Sequence, residues 1–197
     1  MGFVELLASF PAGVLQRPVL DLGSGGGIPG LVIASMRRPL PTALLEGSSR
    51  RSAWLATAAD RLGLTASVEI IAERAEVAGH SKRWRHGFGV VVARLFGRPA
   101  VTAECAAPLL ADGGTLIVSE PVPSGHGDHP LYDRPWKGDT ATEWATRWPA
   151  EGLAELGLGE VRRHTSRGYG FVTISRIAAS GDRYPRRTGI PAKRPLF

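Results

Sequence analysis

The sequence predicts an α/β domain, a mostly parallel sheet with helices on both faces and an antiparallel pair of strands at its end. Short apolar runs alternate with stretches of helical spacing along the first 120 residues. Five glycines crowd between Gly23 and Gly30, directly after the first apolar run and before a helix-like one. Two late strand-like runs meet at Gly168, as a terminal hairpin at the sheet edge requires. Alternation of this kind builds βαβ units, whose crossover helices cover both faces of a parallel sheet.

Taken in order, PVLDL (18–22), ALLEG (43–47), SVEIIA (67–72), GVVVAR (89–94) and GTLIVSE (114–120) read as buried strands. Between them LVIASM, SSRRSAWLATAADRLG and RPAVTAECAAPLL read as helices, the second with Ser48 or Ser49 as N-cap. After Glu120 the composition shifts to Pro, Gly and polar residues, so 121–143 is expected to form a long loop or a lid insertion. The helix-like WPAEGLAELGL, the short EVRRHTS and the strand-like YGFVTISRI follow. Residues 1–181 are expected to form one domain, and 182–197 a basic C-terminal tail.

With 197 residues, 43% of them hydrophobic, the chain suits a single domain with a substantial core. One cysteine, Cys105, rules out an internal disulfide framework and reads as a small buried apolar residue. No run approaches a membrane-spanning length and the first residues lack a signal-peptide pattern, which points to a cytoplasmic protein without a membrane partner. The formal net charge of +6, carried almost wholly by arginine, invites a polyanion. The cations cluster in the tail DRYPRRTGIPAKRPLF, where Arg183, Arg186, Arg187, Lys193 and Arg194 suit phosphate contacts and Tyr184 a stacking surface.

The glycine loop decides the chemistry. Glycine lets the backbone turn sharply and lets a ligand approach main-chain N–H groups closely, so a strand, glycine loop and helix in succession suit a nucleotide. Glu46 ends the second strand about twenty residues on, where a carboxylate accepts hydrogen bonds from ribose hydroxyls. No Gly-Lys-Ser/Thr closes the loop, which disfavours phosphoryl transfer. Asp21 stands just before the first glycine, where it would repel a pyrophosphate but hold an ammonium directly or through water; its plainer role is to cap the turn. Together with Pro29 in the loop, this favours S-adenosylmethionine over a dinucleotide. Ligands of such sheets bind outside the carboxyl ends of the strands, so Ala75 and Glu76 are placed to flank adenine and Arg94 to meet the substrate.

These residues resemble the bacterial small-subunit ribosomal RNA guanine-N7 methyltransferases, the glucose-inhibited division B family. The resemblance rests on LDLGSGGGIPGL, LLEGSSRRSAWL, ERAE, VVVARLFG and the C-terminal RYPRRTGIPAKRPL. It implies a Rossmann-like class I methyltransferase fold, a seven-stranded sheet ending in an antiparallel pair, with S-adenosylmethionine as cofactor and ribosomal RNA or the small ribosomal subunit as partner. By matching position it assigns Gly23, Ile28, Ala75, Glu76 and Arg94 to the cofactor site; Asp21, Gly25 and Glu46 follow from the loop chemistry above. The chain departs from the family in two places. Only about eighteen residues precede the first strand, where members carry a helical region, and Glu120 follows the fifth strand where they tend to have a lysine-glycine pair.

Guanine N7 has a free lone pair, so the reaction needs alignment and exclusion of water but no general base. Arg94 is the expected positioning residue, with donors suited to guanine O6. Two other readings compete: methylation of a small molecule or another RNA, and a non-catalytic domain that binds RNA or protein. His126, Asp128 and His129 lie close in sequence, but their spacing suits no metal site and none is expected. Trp136, Trp144 and Trp148 read as core or lid anchors rather than as an RNA platform, and His80, His86 and His164 as surface residues.

Overall fold

A computed structural model of the chain describes residues 2–10, 14–37, 39–120 and 145–197. Five parallel strands run in sequence: β1 (Val19–Leu22), β2 (Thr42–Leu45), β3 (Val68–Ile71), β4 (Phe88–Ala93) and β5 (Leu110–Glu120). The hairpin strands β6 (Leu158–Ser166) and β7 (Tyr169–Arg176) complete one sheet of order β3-β2-β1-β4-β5-β7-β6, with β7 antiparallel to both neighbours. Strand order reverses between β1 and β4, and the loop leaving β1 stands at that switch point.

Side-chain alternation divides the core. Val19, Val90, Val92, Ile117 and Phe171 point to one face, where α1 (Gly2–Ser9) and α2 (Gly30–Met36) cover them. Leu20, Leu22, Val91, Ala93 and Leu116 point to the other, beneath α4 (Ala75–Ala78), α5 (Pro99–Ala106) and α6 (Ala150–Glu155). The remaining long helix, α3 (Ser49–Arg61), buries Ser52, Leu55 and Ala59 at i, i+3 and i+7. Its N-cap is Ser48, but the hydroxyl makes no cap bond; the Ser48 N–H donates to Glu46 Oε1 at 2.8 Å instead.

α1 escaped the sequence reading because eight residues are too few to show a periodic pattern, and such a helix persists only through packing. Phe3 supplies that packing edge-on to Phe171, with ring centroids 4.9 Å apart, while Glu5 pairs with Ser166 and Arg167 of the hairpin turn. β3 is not fully buried as expected, since it is an edge strand and Glu69 faces solvent. The segment beyond β7 is no separate arm. Arg85 donates to the Gly79 and Tyr184 carbonyls, each at 2.8 Å, and a last short helix, α7 (Ile190–Lys193), packs on α5.

Candidate active site

β1 ends at Leu22 and the chain turns at Gly23, where φ is +72° and a Cβ would stand 2.5 Å from the Phe96 ring. Only glycine meets both conditions. The Gly23 and Ser24 N–H groups donate to the Leu45 carbonyl at 2.9 and 3.0 Å, tying the loop to the end of β2. Before Gly26 the space is open, with nothing within 4 Å of where a Cβ would lie. The loop closes at Gly30, where a Cβ would meet Leu44 Cδ2 at 2.2 Å and Asp21 Oδ2 at 2.7 Å. Here glycine is required by close approach alone.

Two buried carboxylates flank this loop. Asp21, 1% exposed, accepts the Gly30 N–H at 2.9 Å and so caps the first turn of α2, the plainer of its two sequence readings. Burial pushes its pKa up to about 7, against the Gly30 and Ser24 hydrogen bonds and the field of Arg94. Glu46, 4% exposed, is held below the usual carboxylate range: burial would raise it, but hydrogen bonds from Arg51, Ser48 and Gly25 prevail. Its Oε2 accepts Gly25 N–H at 3.0 Å and its Oε1 accepts Ser48 N–H and Arg51 Nη2, both at 2.8 Å. A carboxylate has about four acceptor directions, so these three bonds leave capacity for a hydroxyl. An acid with acceptor capacity beside open glycine backbone, with a second acid one strand away, is an arrangement able to take the ribose and amino-acid ends of S-adenosylmethionine.

The neighbouring strand ends complete the rim. Arg74, after β3, lies across Gly47, where a Cβ would come within 2.7 Å of its Cδ. Ala75 is buried, whereas Glu76 turns toward the C-terminal segment and accepts the Gly189 N–H at 2.8 Å. Arg94 is exposed at the end of β4, near enough to Asp21 to lower its pKa. Ile28 also faces outward, 56% exposed. Sequence reading missed Phe96, which no local pattern marks, and Arg51, whose spacing from Glu46 across a helix start is a usable signal.

The structure corrects the tail. Tyr184 is 2% exposed and its hydroxyl donates to Glu155 at 2.5 Å, so its ring is unavailable for stacking on a base. Arg186 is committed to Glu104, a fully buried acid, through Nε at 2.8 Å and Nη2 at 2.6 Å. Arg183 pairs with Glu155 over the Tyr184 ring, and Arg187, Lys193 and Arg194 stay exposed. His86 is half-buried, and its Nε2 is buried without a hydrogen-bond partner among the described residues. Glu120, 6% exposed at the end of β5, accepts Arg147 Nε at 2.8 Å and Trp148 Nε1 at 3.0 Å, which makes Trp148 the expected core anchor. The insertion 121–143, His126, Asp128, His129, Trp136 and Trp144 lie outside the described residues. Among the described residues no group of three or more His, Cys, Asp or Glu is placed to hold a metal, and no helix is long and apolar enough to cross a membrane.

Solved structures share this architecture. The antibiotic-resistance methyltransferase Kmr matches with a TM-score of 0.61 at 14% identity, over 84% of this chain and 91% of its own. A SAM-dependent methyltransferase from Aquifex aeolicus matches at 0.62 and 15% identity, over 88% of each chain. At such identities the likeness concerns the fold, a class I methyltransferase sheet. Closer relatives carry the name ribosomal RNA small subunit methyltransferase G. The protein of Moorella thermoacetica is 33% identical over 181 residues, 90% of this chain and 69% of its own. That of Dehalococcoides mccartyi strain BAV1 is 30% identical over 203 residues, 99% of this chain and 78% of its own. The family model for rRNA small subunit methyltransferase G (GidB) matches residues 4–120, the stretch that holds the glycine loop, both acids and Arg94, and the chain belongs to that family.

Proposed function

We propose that this protein methylates small-subunit ribosomal RNA with S-adenosylmethionine as donor, at N7 of a guanine, in the cytoplasm. The observation that carries the reading is the Glu46–Gly25 tie at 3.0 Å, which sets a diol-binding acid beside open glycine backbone at the switch point of a family-matched sheet. S-adenosylmethionine supplies a methyl group on a sulfonium centre. Glu46 holds the ribose, the open backbone at Gly26 and the Asp21 carboxylate take the amino-acid end, and Ala75 and Glu76 flank the adenine, while Gly23 and Gly25 shape the loop and Ile28 covers its side. Ionised Asp21 pairs with the ligand's ammonium, which draws its pKa down from about 7.

Arg94, exposed at the end of β4, orients the guanine through O6. With the methyl carbon of the donor aligned on N7, the lone pair would form the new C–N bond as the carbon–sulfur bond breaks and the thioether leaves, giving a cationic N7-methylguanine, so no side chain has to remove a proton. Arg183, Arg187, Lys193 and Arg194 contact phosphates of the RNA or small subunit outside the pocket. The test is incubation of the protein and labelled S-adenosylmethionine with under-methylated small ribosomal subunits, followed by mapping of the modified purine. Label on N7 of one guanine is the expected result. Label only in a small-molecule pool, or none, overturns the reading.

A further inference from the structure

Leu95 is the anomaly of the rim. At 77% exposed it is the most exposed large hydrophobic side chain among the described residues, and its φ of +54° lies in the left-handed region that a bulky side chain avoids. Such strain persists only where the surroundings impose it. Here they do so from both sides. Before it β4 ends at Ala93, paired with Leu22 of β1 and Val118 of β5, and after it Phe96 lays its ring on Gly23. One residue further, the Gly97 carbonyl accepts the Thr102 hydroxyl at 3.2 Å. With the chain held by strand pairing before it and by the glycine loop and α5 after it, the side chain between them is thrust outward, at the strand end where the acceptor must meet the donor.

We infer that Leu95 is an apolar wedge that takes the place of the acceptor base in its stack. This rests on the RNA reading above. The major groove of an A-form RNA helix is deep and narrow, so purine N7 within a duplex is closed to an approaching protein site. An acceptor held in such a helix has to be displaced before transfer, which leaves a gap between its neighbours. Proteins that open base steps fill such gaps with Leu, Ile, Phe or Met. Leu95 has that character, and the exposed cation Arg98, three residues on, suits a phosphate that flanks a displaced nucleotide.

Leu95→Gly tests this, because glycine accepts the backbone conformation while removing the wedge. With under-methylated small ribosomal subunits as substrate, kcat should fall about tenfold or more, the loss of one base-stacking contact. KM for the subunit and the Kd for S-adenosylmethionine should stay within about twofold, and Tm should hold or rise, as relief of backbone strain implies. Leu95→Met, which restores an apolar side chain, should recover most of the rate. Wild-type turnover in Leu95→Gly overturns the proposal, as does a loss of cofactor affinity or of Tm in step with the lost activity, or failure of Leu95→Met to recover. If the unaltered protein leaves the subunits unlabelled, the RNA reading itself fails and the wedge falls with it, a result visible without any variant.

Discussion

The glycine loop and the C-terminal segment carry the same advertisement in sequence, residues suited to binding anions and nucleotides, and they use it oppositely. In the loop, Gly26 faces open space and Glu46 keeps capacity to accept, although three donors already reach it. In the segment from Tyr184, the aromatic ring is buried, Arg186 is spent on Glu104, and the Gly189 N–H is spent on Glu76. A polar residue is functional to the extent that its hydrogen-bond capacity remains unspent in the fold. The C-terminal signature is mainly a clasp, which draws α4, α5 and α6 together through Glu76, Glu104 and Glu155.

The largest effect should separate the two regions outright. Arg186→Ala leaves Glu104 buried without its cation and should cost about 4 kcal/mol of stability, read by denaturant unfolding, while cofactor affinity of the protein that stays folded changes little. A large loss of affinity with little loss of stability would place the segment in the site rather than behind it. Gly30→Ala drives a methyl group into Leu44 and Asp21 and should cost about 3 kcal/mol, a Tm fall of roughly 6–12 °C for a chain of this size. Because the same contact disorders the Asp21 cap, this loop variant should lose cofactor binding as well.

Glu46→Gln should behave in the opposite sense to Arg186→Ala. Loss of a charged acceptor weakens S-adenosylmethionine by about 2 kcal/mol, roughly thirtyfold in Kd by calorimetry, with a much smaller change in Tm. Asp21 gives a pH signature. Its folded pKa of about 7 lies above the unfolded carboxylate value, so the native state holds the proton longer. This contribution to stability is therefore full below the unfolded pKa and declines as pH rises through the folded one. Between about pH 6 and pH 8 the decline is about 1.4 kcal/mol, and Asp21→Asn should abolish it. Near neutrality, cofactor binding should release part of a proton, seen as a calorimetric heat that depends on the buffer. The smallest effects belong to Arg187, Lys193 and Arg194: alanine at each should change stability by less than about 0.5 kcal/mol and lower the slope of log affinity against log salt by about one.

Much of the fold was legible because it depends on local pattern. β1, β2, β4 and β5 are apolar runs between glycine and proline punctuation, and the hairpin turns where Gly168 sits at φ +77°. α1 and α4 were not assigned as elements, since four to eight residues leave no period to detect and packing alone holds them. That Asp21, Gly23, Gly25 and Glu46 gather around one turn was legible from their order in the chain. Phe96 was not, because its contact with Gly23 joins two strand ends far apart in the chain.

By itself the sequence determined the order of strands and helices, the position of the nucleotide loop and the acids that serve it, through periodicity and spacing over about twenty residues. Only the tertiary structure decided which cations and carboxylates are free. Arg186 meets Glu104 across 82 positions and Gly189 meets Glu76 across 113, and a partner brought from that distance leaves no trace in either local stretch. The same holds for Leu95, an ordinary residue in sequence, whose exposure and left-handed backbone arise because its neighbours are anchored to a loop some seventy residues earlier.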